Sequence, residues 1–171
     1  MSGLNQTGKF RITVFALAAL IAGGFLVLQS NADTSTPKLV KSYTNDTYRF
    51  SLMMPADFAA TIVLASDDVG ETVVLQNSAA EGVQIIVAPW DEDAQALTAE
   101  RITQDTGLTA TNVQPIAIPG GVGLSFNSNN DAFDAASSDI WLVHDGNVYQ
   151  LTTYTRLEPL LHAMFATWRF F

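Results

Sequence analysis

Acidic residues are the main candidates in this chain for metal binding. Asp131, Asp134 and Asp139 lie in a polar stretch that also contains Asn129 and Asn130. Carboxylate and amide oxygens are the ligands that Ca²⁺ prefers, so this stretch is a weak candidate metal site. Its spacing does not match the alternating acids of a calcium-binding loop, and a solvated loop explains the same composition. We therefore expect no resident metal or cofactor.

Two histidines are the remaining candidates for acid–base chemistry or zinc binding. His144 is expected at the end of a strand and His162 on a helix, without the short spacing of a zinc motif. Residues 123–127 lack the second glycine of a serine hydrolase elbow, and the chain has no cysteine. These patterns favour a protein that is not an enzyme. The alternative is a small envelope hydrolase built around His144, or one using the acidic residues 128–139.

Aromatic side chains are candidates for recognition of a partner. Trp90, Phe133 and Trp141 form the candidate partner surface, because large amphipathic rings are common where proteins bind each other. The same rings are equally suited to a protein core, and most of the aromatic residues are expected there.

An uncharged apolar segment near the start of the sequence determines where these residues act. Ile12 to Leu28 contains seventeen residues, which as a helix would span about 26 Å and approach the thickness of a bilayer core. Lys9 and Arg11 precede the segment and polar residues follow it, so residues 1–11 are predicted to be cytoplasmic. We interpret residues 12–28 as a single-pass signal-anchor of a bacterial cell membrane, with the C-terminal domain outside.

A cleaved signal peptide is the alternative interpretation of this segment. Ser30, Asn31 and Ala32 provide a small-x-small site before Asp33. The apolar run is longer than the usual signal-peptide core of about 7 to 15 residues, which favours retention of the anchor. Both interpretations place the following domain outside the cytoplasm.

The exported part is strongly acidic. Beyond Leu28 it has six Lys and Arg residues against seventeen Asp and Glu residues, a net charge of −11. Such a charge argues against a nucleic-acid partner and against docking of a basic patch on anionic lipids. An unidentified protein near the membrane is the partner we expect.

The hydropathy pattern predicts one α+β domain over residues 43–171, joined to the membrane by a tether at residues 29–42. Two helices are predicted, over residues 97–106 and 157–167. About six to eight strands are predicted in an antiparallel sheet, and they cover residues 48–54, 60–65, 72–76, 83–88, 110–118, 122–127, 140–144 and 148–155, with a short addition at 168–171.

Four local patterns refine this prediction. Residues 83–88 are nearly all apolar, which indicates a central strand covered on both faces. Pro115 marks its strand as an edge or a bulge. Residues 128–138 are polar and predict a long loop. Asp145 and Gly146, between two apolar alternations, predict a tight hairpin turn.

The opening of the domain resembles that of PsbP-like domains and of small anchored bacterial proteins of unknown function. The resemblance is carried by Tyr-x-Asn from Tyr43, Phe-Ser-Leu from Phe50, Pro-x-x-Phe from Pro55, and the Trp-Arg-Phe finish from Trp168. It implies an antiparallel sheet between helices, an α/β/α sandwich. PsbP is an extrinsic subunit of the oxygen-evolving complex, and relatives are implicated in assembly or metal handling. No binding residue of that family is carried over, and the anchor departs from the soluble subunits.

The sequence as a whole predicts a membrane-anchored, extracytoplasmic binding or accessory module of an envelope complex, without catalytic residues. The second hypothesis is the envelope hydrolase, and the third is a cation-binding domain that uses the acidic 128–139 loop.

Overall fold

The computed structural model describes residues 38–64, 70–118, 121–130 and 135–171. The predicted membrane anchor, the cleavage site after Ala32 and most of the tether lie outside these residues. Within the described ranges, no helix is long and apolar enough to cross a membrane.

The described residues form ten strands and two short α-helices, and every strand pair is antiparallel. The helices are α1 (Ala99–Thr106) and α2 (Glu158–Ala166), and single 3₁₀ turns occupy Ala94–Ala96 and Thr155–Leu157. The strands are β1 (Leu39–Asn45), β2 (Phe50–Pro55), β3 (Ala59–Leu64), β4 (Glu71–Gln76), β5 (Gly82–Pro89), β6 (Thr111–Ile118), β7 (Gly121–Asn130), β8 (Ala135–His144), β9 (Asn147–Tyr154) and β10 (Arg169–Phe170).

Seven strands form the larger sheet, in the order β3-β4-β5-β9-β8-β7-β6. Strands that follow each other in sequence pair with each other, except at β5 and β6, which α1 separates. Strand β9, the last strand of the β6–β9 meander, pairs with β5 and so joins the two parts of the sheet. The predicted hairpin of β3 and β4 is confirmed, and β6, which contains Pro115, is an edge strand as predicted. Proline lacks the N–H that an inner strand needs for its second neighbour.

The smaller sheet has the order β1-β2-β10. The predicted short strand near residue 170 is confirmed, because Arg169 and Phe170 pair with Ser51 and Phe50. The first strand begins at Leu39, inside the range predicted as tether. Polar residues of β1 gain ladder hydrogen bonds from β2 while most of their side chains stay in water, so apolar alternation does not reveal this strand.

The seven-stranded sheet lies between two apolar clusters. The larger, core 1, joins one face of the sheet to the smaller sheet and to α2, through residues such as Phe50, Ile85, Leu142, Tyr149, Leu161, Met164 and Trp168. The smaller, core 2, joins the other face to α1 and the preceding 3₁₀ turn, through Trp90, Leu97, Ile102, Phe126, Trp141, Val143 and Val148. The sheet therefore has a helix on each side, and successive residues of β8 serve opposite clusters.

Strand β5 is central, as predicted, but only one of its faces is fully buried. Its residues alternate between buried and half-buried, because core 2 covers only part of the second face. The apolar composition therefore overstated its burial.

The long loop predicted at residues 128–138 is wrong for most of its length. Strand β7 continues to Asn130 and β8 begins at Ala135, and the two pair along this extension. Ser128, Ser137 and Ser138 are buried there. The hydroxyls of Ser128 and Ser137 bond to each other and to Asp139, and the hydroxyl of Ser138 accepts from the side chain of Asn127. These bonds allow polar residues to occupy inner strands.

One predicted hairpin turn and one predicted helix end are confirmed. Asp145 and Gly146 link β8 to β9 with positive φ angles of 46° and 71°, the geometry of a type I′ turn that suits a two-residue hairpin. Helix α1 is capped by the hydroxyl of Thr98, which accepts from the backbone N–H of Arg101, and ends at Gly107 with φ 74°.

Candidate functional site

Asp139 lies in a buried polar cluster on β8. Its side chain is 2% exposed. One carboxylate oxygen accepts from the hydroxyls of Ser128 at 2.9 Å and Ser137 at 2.8 Å, and the other accepts from Thr152 at 2.7 Å. The two serine hydroxyls are also 2.9 Å apart. Both carboxylate oxygens are therefore used within the fold.

Two opposing effects act on the pKa of Asp139. Burial removes water from the carboxylate and raises the pKa, and hydrogen bonds from Thr152, Ser137 and Ser128 lower it by a smaller amount. The net direction is upward from the ordinary value of 3.8. The cluster joins three neighbouring strands, β7, β8 and β9, and its evident role is to hold them together.

Of the three acids predicted as weak metal ligands, only Asp139 lies in the described part of the chain. Asp131 and Asp134, like Phe133 of the candidate partner surface, lie outside it. Within the described ranges, no group of three or more His, Asp and Glu side chains converges as a metal site would require.

Trp90 and Trp141 are both buried, with exposed fractions of 5% and 3%. They belong to core 2, where Trp141 packs edge-on against Phe126 at 6.0 Å between ring centroids. The guanidinium of Arg101 lies 5.2 Å above the Trp90 ring. The structure thus places these two tryptophans in the core and not on an open surface.

His144 lies at the end of β8, beside a cleft. Its ring stacks on Phe170, with 3.8 Å between centroids and an angle of 15° between the planes. The cleft measures about 510 Å³ and is mainly apolar. Its walls come from β6, the end of α2 and β10, and consist of Ala117, Ile118, His144, Phe165, Ala166, Trp168, Arg169, Phe170 and Phe171. We call this concavity the aromatic cleft.

A second, more polar concavity of about 260 Å³ shares His144 and Phe171 with the aromatic cleft. It is lined by the β1–β2 turn and the β8–β9 turn, through Thr47, Tyr48, Arg49, Asp145, Asn147 and Tyr149. Burial raises the pKa of Tyr149 to about 12, and the nearby Asp145 adds to this effect. Its hydroxyl donates to the backbone oxygen of Tyr48 at 3.1 Å, so Tyr149 is neutral and positions the turn.

Arg49, which lines the polar concavity, holds an unfavourable backbone conformation. Its φ is +52°, in the left-handed region that glycine and asparagine tolerate better than arginine. The preceding turn is fixed by Asn45, whose side-chain oxygen accepts from the backbone N–H of Tyr48 at 2.9 Å. Asn45 in turn donates to Glu71 at 2.5 Å. The fold therefore imposes this conformation on an exposed arginine.

The two arginines that line the clefts differ from the other described arginines in their ion pairs. Arg101 pairs with Glu92 and Asp105, and Arg156 pairs with Glu81. Among the described residues, neither Arg49 nor Arg169 has a carboxylate within ion-pair distance. Arg169 instead donates to the backbone oxygen of Trp168 at 2.5 Å.

Trp168 forms the floor between the aromatic cleft and core 1. Its indole stacks on Phe50 at 4.3 Å with an angle of 7° between the planes, and Tyr149 packs against it edge-on at 5.9 Å. The ring is 5% exposed, yet its Nε1–H has no hydrogen-bond partner within the described structure. An unmet buried donor of this kind costs about 1 to 3 kcal/mol.

His162 lies on α2 and lines neither of the two concavities that His144 borders. It is exposed on α2, and its Nε2 lies 3.6 Å from Glu158, one turn earlier. A separate polar concavity of about 490 Å³ lies beside these two residues and the strand residues Asn127 and Ser138. The structure does not bring the two histidines into one site.

Sequence reasoning singled out His144 but missed Arg49 and Phe170. No short-range motif identifies them, because they meet only when β10 pairs with β2 across the fold. A weak signal existed in Arg49, which lies between a polar turn and an apolar strand, where glycine would be expected.

Comparisons with known proteins agree with this architecture. No family model matches the sequence, and no curated protein matches it. The solution structure of cyanobacterial PsbP from Synechocystis aligns with 84% of this chain and 99% of that chain, with a TM-score of 0.55 and 12% sequence identity. The crystal structure of a GTP-binding regulator from Thermotoga maritima aligns with 63% of this chain and 75% of that chain at 14% identity, and its TM-score of 0.37 is too low to support an argument.

The described domain therefore has a PsbP-like fold, as the resemblance in the sequence implied. At 12% identity this likeness concerns the fold alone.

Proposed function

We propose that this protein is a membrane-anchored, extracytoplasmic binding module that serves as an accessory component of an envelope complex. It acts by holding a partner protein at the aromatic cleft and the adjoining polar concavity, without catalysis. The observation that carries this proposal is the strained Arg49 in the polar concavity, which shares His144 and Phe171 with the open aromatic cleft.

Backbone strain supports a binding role for Arg49. A residue held in the left-handed region costs about 1 to 2 kcal/mol, which glycine at the same position would avoid. The guanidinium is exposed and has no carboxylate partner among the described residues, so it is available to an external partner. Contact with such a partner would offset the cost of the backbone conformation.

The chemistry of the two concavities defines the partner. The aromatic cleft accepts an aliphatic or aromatic side chain between Ile118, Phe165 and Phe170. Arg49 and Arg169 flank the paired concavities and favour a neighbouring carboxylate. The partner is thus a protein segment with an apolar side chain beside an acidic residue, which would bind near Arg49 or Arg169 although Asp145 also lines the polar concavity.

The fold supports an accessory role in a second way. The chain has a PsbP-like fold. Its sequence pattern also resembles PsbP-like domains, and this sequence resemblance, rather than the fold, implies an extrinsic subunit. The predicted anchor at residues 12–28 and the short tether would keep the domain, and hence its partner, close to the membrane.

The hydrolase and cation-binding alternatives draw no support from the described residues. The oxygens of Asp139 already accept hydrogen bonds from three hydroxyls. The ring of His144 faces Phe170 in a close stack. Asp131 and Asp134 lie outside the described residues, and their part in cation binding stays a prediction.

The proposal is tested by capture of partners from native membranes with the full-length protein. We expect wild type to recover one specific membrane-associated protein, and Arg49→Gly to lose it. Because glycine relieves the strain, the free energy of unfolding should be unchanged or about 1 kcal/mol higher in this variant. Loss of binding together with retained stability cannot result from misfolding.

A matched control exists at Ala80, which also has a positive φ of 59° but lies in the β4–β5 turn, away from both concavities. Ala80→Gly should have the same effect on stability and leave capture intact. Equal capture by wild type and Arg49→Gly would overturn the proposed site.

Anchoring is tested separately by sequencing the N-terminus of the mature protein. Retention of residues 12–28 is expected, and a mature N-terminus at Asp33 would contradict the signal-anchor.

A further inference from the structure

The two edge strands of the seven-stranded sheet differ in their protection against pairing with another chain. Strand β6 contains Pro115, has a register shift between Thr111 and Gln114, and holds Asn112 at a φ of 53°. Prolines and bulges are the usual devices that prevent strand addition at an edge. Strand β3, at the opposite edge, contains no proline and no register shift.

The free edge of β3 is regular and uncharged. Its sequence, Ala-Ala-Thr-Ile-Val-Leu, contains no charge, glycine or proline, and it pairs with β4 without a register shift over six residues. Residues 59–62 are exposed. A regular edge of this composition is able to accept a further strand.

Ile62 shows that apolar surface is left uncovered at this edge. It pairs with Val73, which is fully buried in core 1, and cross-strand partners share a face of the sheet. Ile62 itself is nevertheless 54% exposed. A strand added beside β3 would cover the Ile62 side chain and extend core 1.

We propose that β3 pairs antiparallel with β3 of a second copy of this chain, about a two-fold axis at Thr61. In an antiparallel ladder, residues directly opposite have the same hydrogen-bonding role. The two-fold axis therefore passes between the two copies of one residue, each of which is paired with the other. An axis at Thr61 places Ile62 opposite Ala60 and Ala59 opposite Val63. A large side chain then meets a small one at every apolar pair, and the two Thr61 hydroxyls face each other.

The lack of charge along β3 permits a second copy to approach this edge. The chain has a net charge of −9, so two copies repel each other over most of their surfaces. The five paired positions from Ala59 to Val63 bring no charge into the contact. Self-association is thus permitted along β3, a six-residue uncharged strand whose outer edge has no partner among the described strands.

The natural absence of cysteine allows a direct test with the full-length protein in detergent. Thr61→Cys should form a covalent dimer on mild oxidation or with a short bismaleimide, because directly opposed Cβ atoms lie about 4.5 to 5.5 Å apart. Thr111→Cys is the matched control, since Thr111 is an exposed threonine on the other edge strand. It should give no covalent dimer.

A second substitution distinguishes specific pairing from random collision. Ile62→Lys places charge on the edge and should abolish both the crosslink through Thr61→Cys and the dimer mass measured by light scattering. Thr111→Lys should leave both unchanged. A monomeric wild type, equal crosslinking at the two positions, or crosslinking of Thr61→Cys only to a different protein would overturn the proposal.

Discussion

The two ends of the β8–β9 ladder are built from opposite kinds of side chain. The polar end, residues 137–139 and 152–154, buries Asp139 among hydroxyl groups that occupy both of its carboxylate oxygens. The aromatic end, residues 142–149, carries His144 and Tyr149 against Phe170 and borders an open cleft.

This difference reverses the usual expectation for polar and aromatic residues. Acids and serines in a cluster suggest chemistry, yet here their hydrogen bonds are satisfied within the sheet, and they stabilise it. Aromatic residues suggest a core, yet His144 and Phe170 at the other end line a concavity near Arg49 and Arg169, for which no described carboxylate is a partner. Four substitutions test this division, in order of expected effect.

The largest effect is expected at the polar end. Asp139→Ala should lower the free energy of unfolding by about 3 kcal/mol, because three buried hydroxyls lose their acceptor. Urea denaturation followed by tryptophan fluorescence measures the change. Asp91→Ala, at an exposed acid, is the control and should stay within about 0.5 kcal/mol. Similar changes in the free energy of unfolding for the two variants would show that the cluster does not stabilise the fold.

The aromatic end should contribute less to stability. Phe170 is half-buried and packs on His144, Tyr149 and Trp168. Phe170→Ala should lower the free energy of unfolding by about 2 kcal/mol, below the 3 to 5 kcal/mol typical of a fully buried ring. It should also abolish partner capture, whereas Phe170→Leu should retain most of the stability. Normal capture of the partner by a folded Phe170→Ala protein would show that the partner does not bind at the aromatic end.

The pH dependence of Asp139 gives a smaller effect. Its pKa is raised in the folded state, so its stabilising contribution is complete below the ordinary value of 3.8 and declines as pH rises through the raised pKa. Asp139→Asn cannot ionise. Wild type should therefore lose stability relative to this variant as pH increases over that interval, measured by denaturation at a series of pH values. A relative gain would mean that the hydroxyl bonds outweigh burial and lower the pKa.

The smallest effect on stability is expected at Arg169. Among the described residues its guanidinium bonds to the backbone oxygens of Ala166 and Trp168, so Arg169→Ala should change the free energy of unfolding by less than about 0.5 kcal/mol. Partner capture should nevertheless fall. Arg156→Ala removes an exposed pair with Glu81 and should leave capture unchanged. Equal capture by both variants would exclude Arg169 from the site.

Much of the fold was predictable because local patterns act over short distances. The β3–β4 and β8–β9 hairpins follow from apolar alternation around turn residues, and α1 follows from Thr98 and Gly107 at its ends. The failures occur where tertiary hydrogen bonds replace a local signal. Residues 128–130 and 135–138 lie in strands, and Asp139 satisfies the buried hydroxyls of Ser128 and Ser137 there. Strand β1 begins at Leu39 because β2 supplies its partners.

The site was less predictable than the fold. His144 was identified by its residue type, but its setting depends on Phe170, which arrives from the far end of the chain. Trp90 and Trp141 illustrate the opposite error, since residue type alone does not distinguish a buried ring from an exposed one.

The contacts between β2 and the last residues also bear on how the protein folds. The hydroxyl of Thr167 accepts from the backbone N–H of Met53, 114 positions earlier, and Trp168 stacks on Phe50. Contacts of such sequence separation slow folding, to milliseconds or seconds in β-rich domains. During synthesis, Phe50 and its neighbours lack this covering until residue 168 has emerged. Nascent chains should therefore expose an aggregation-prone apolar strand for most of their elongation. We expect them to depend on a holding chaperone.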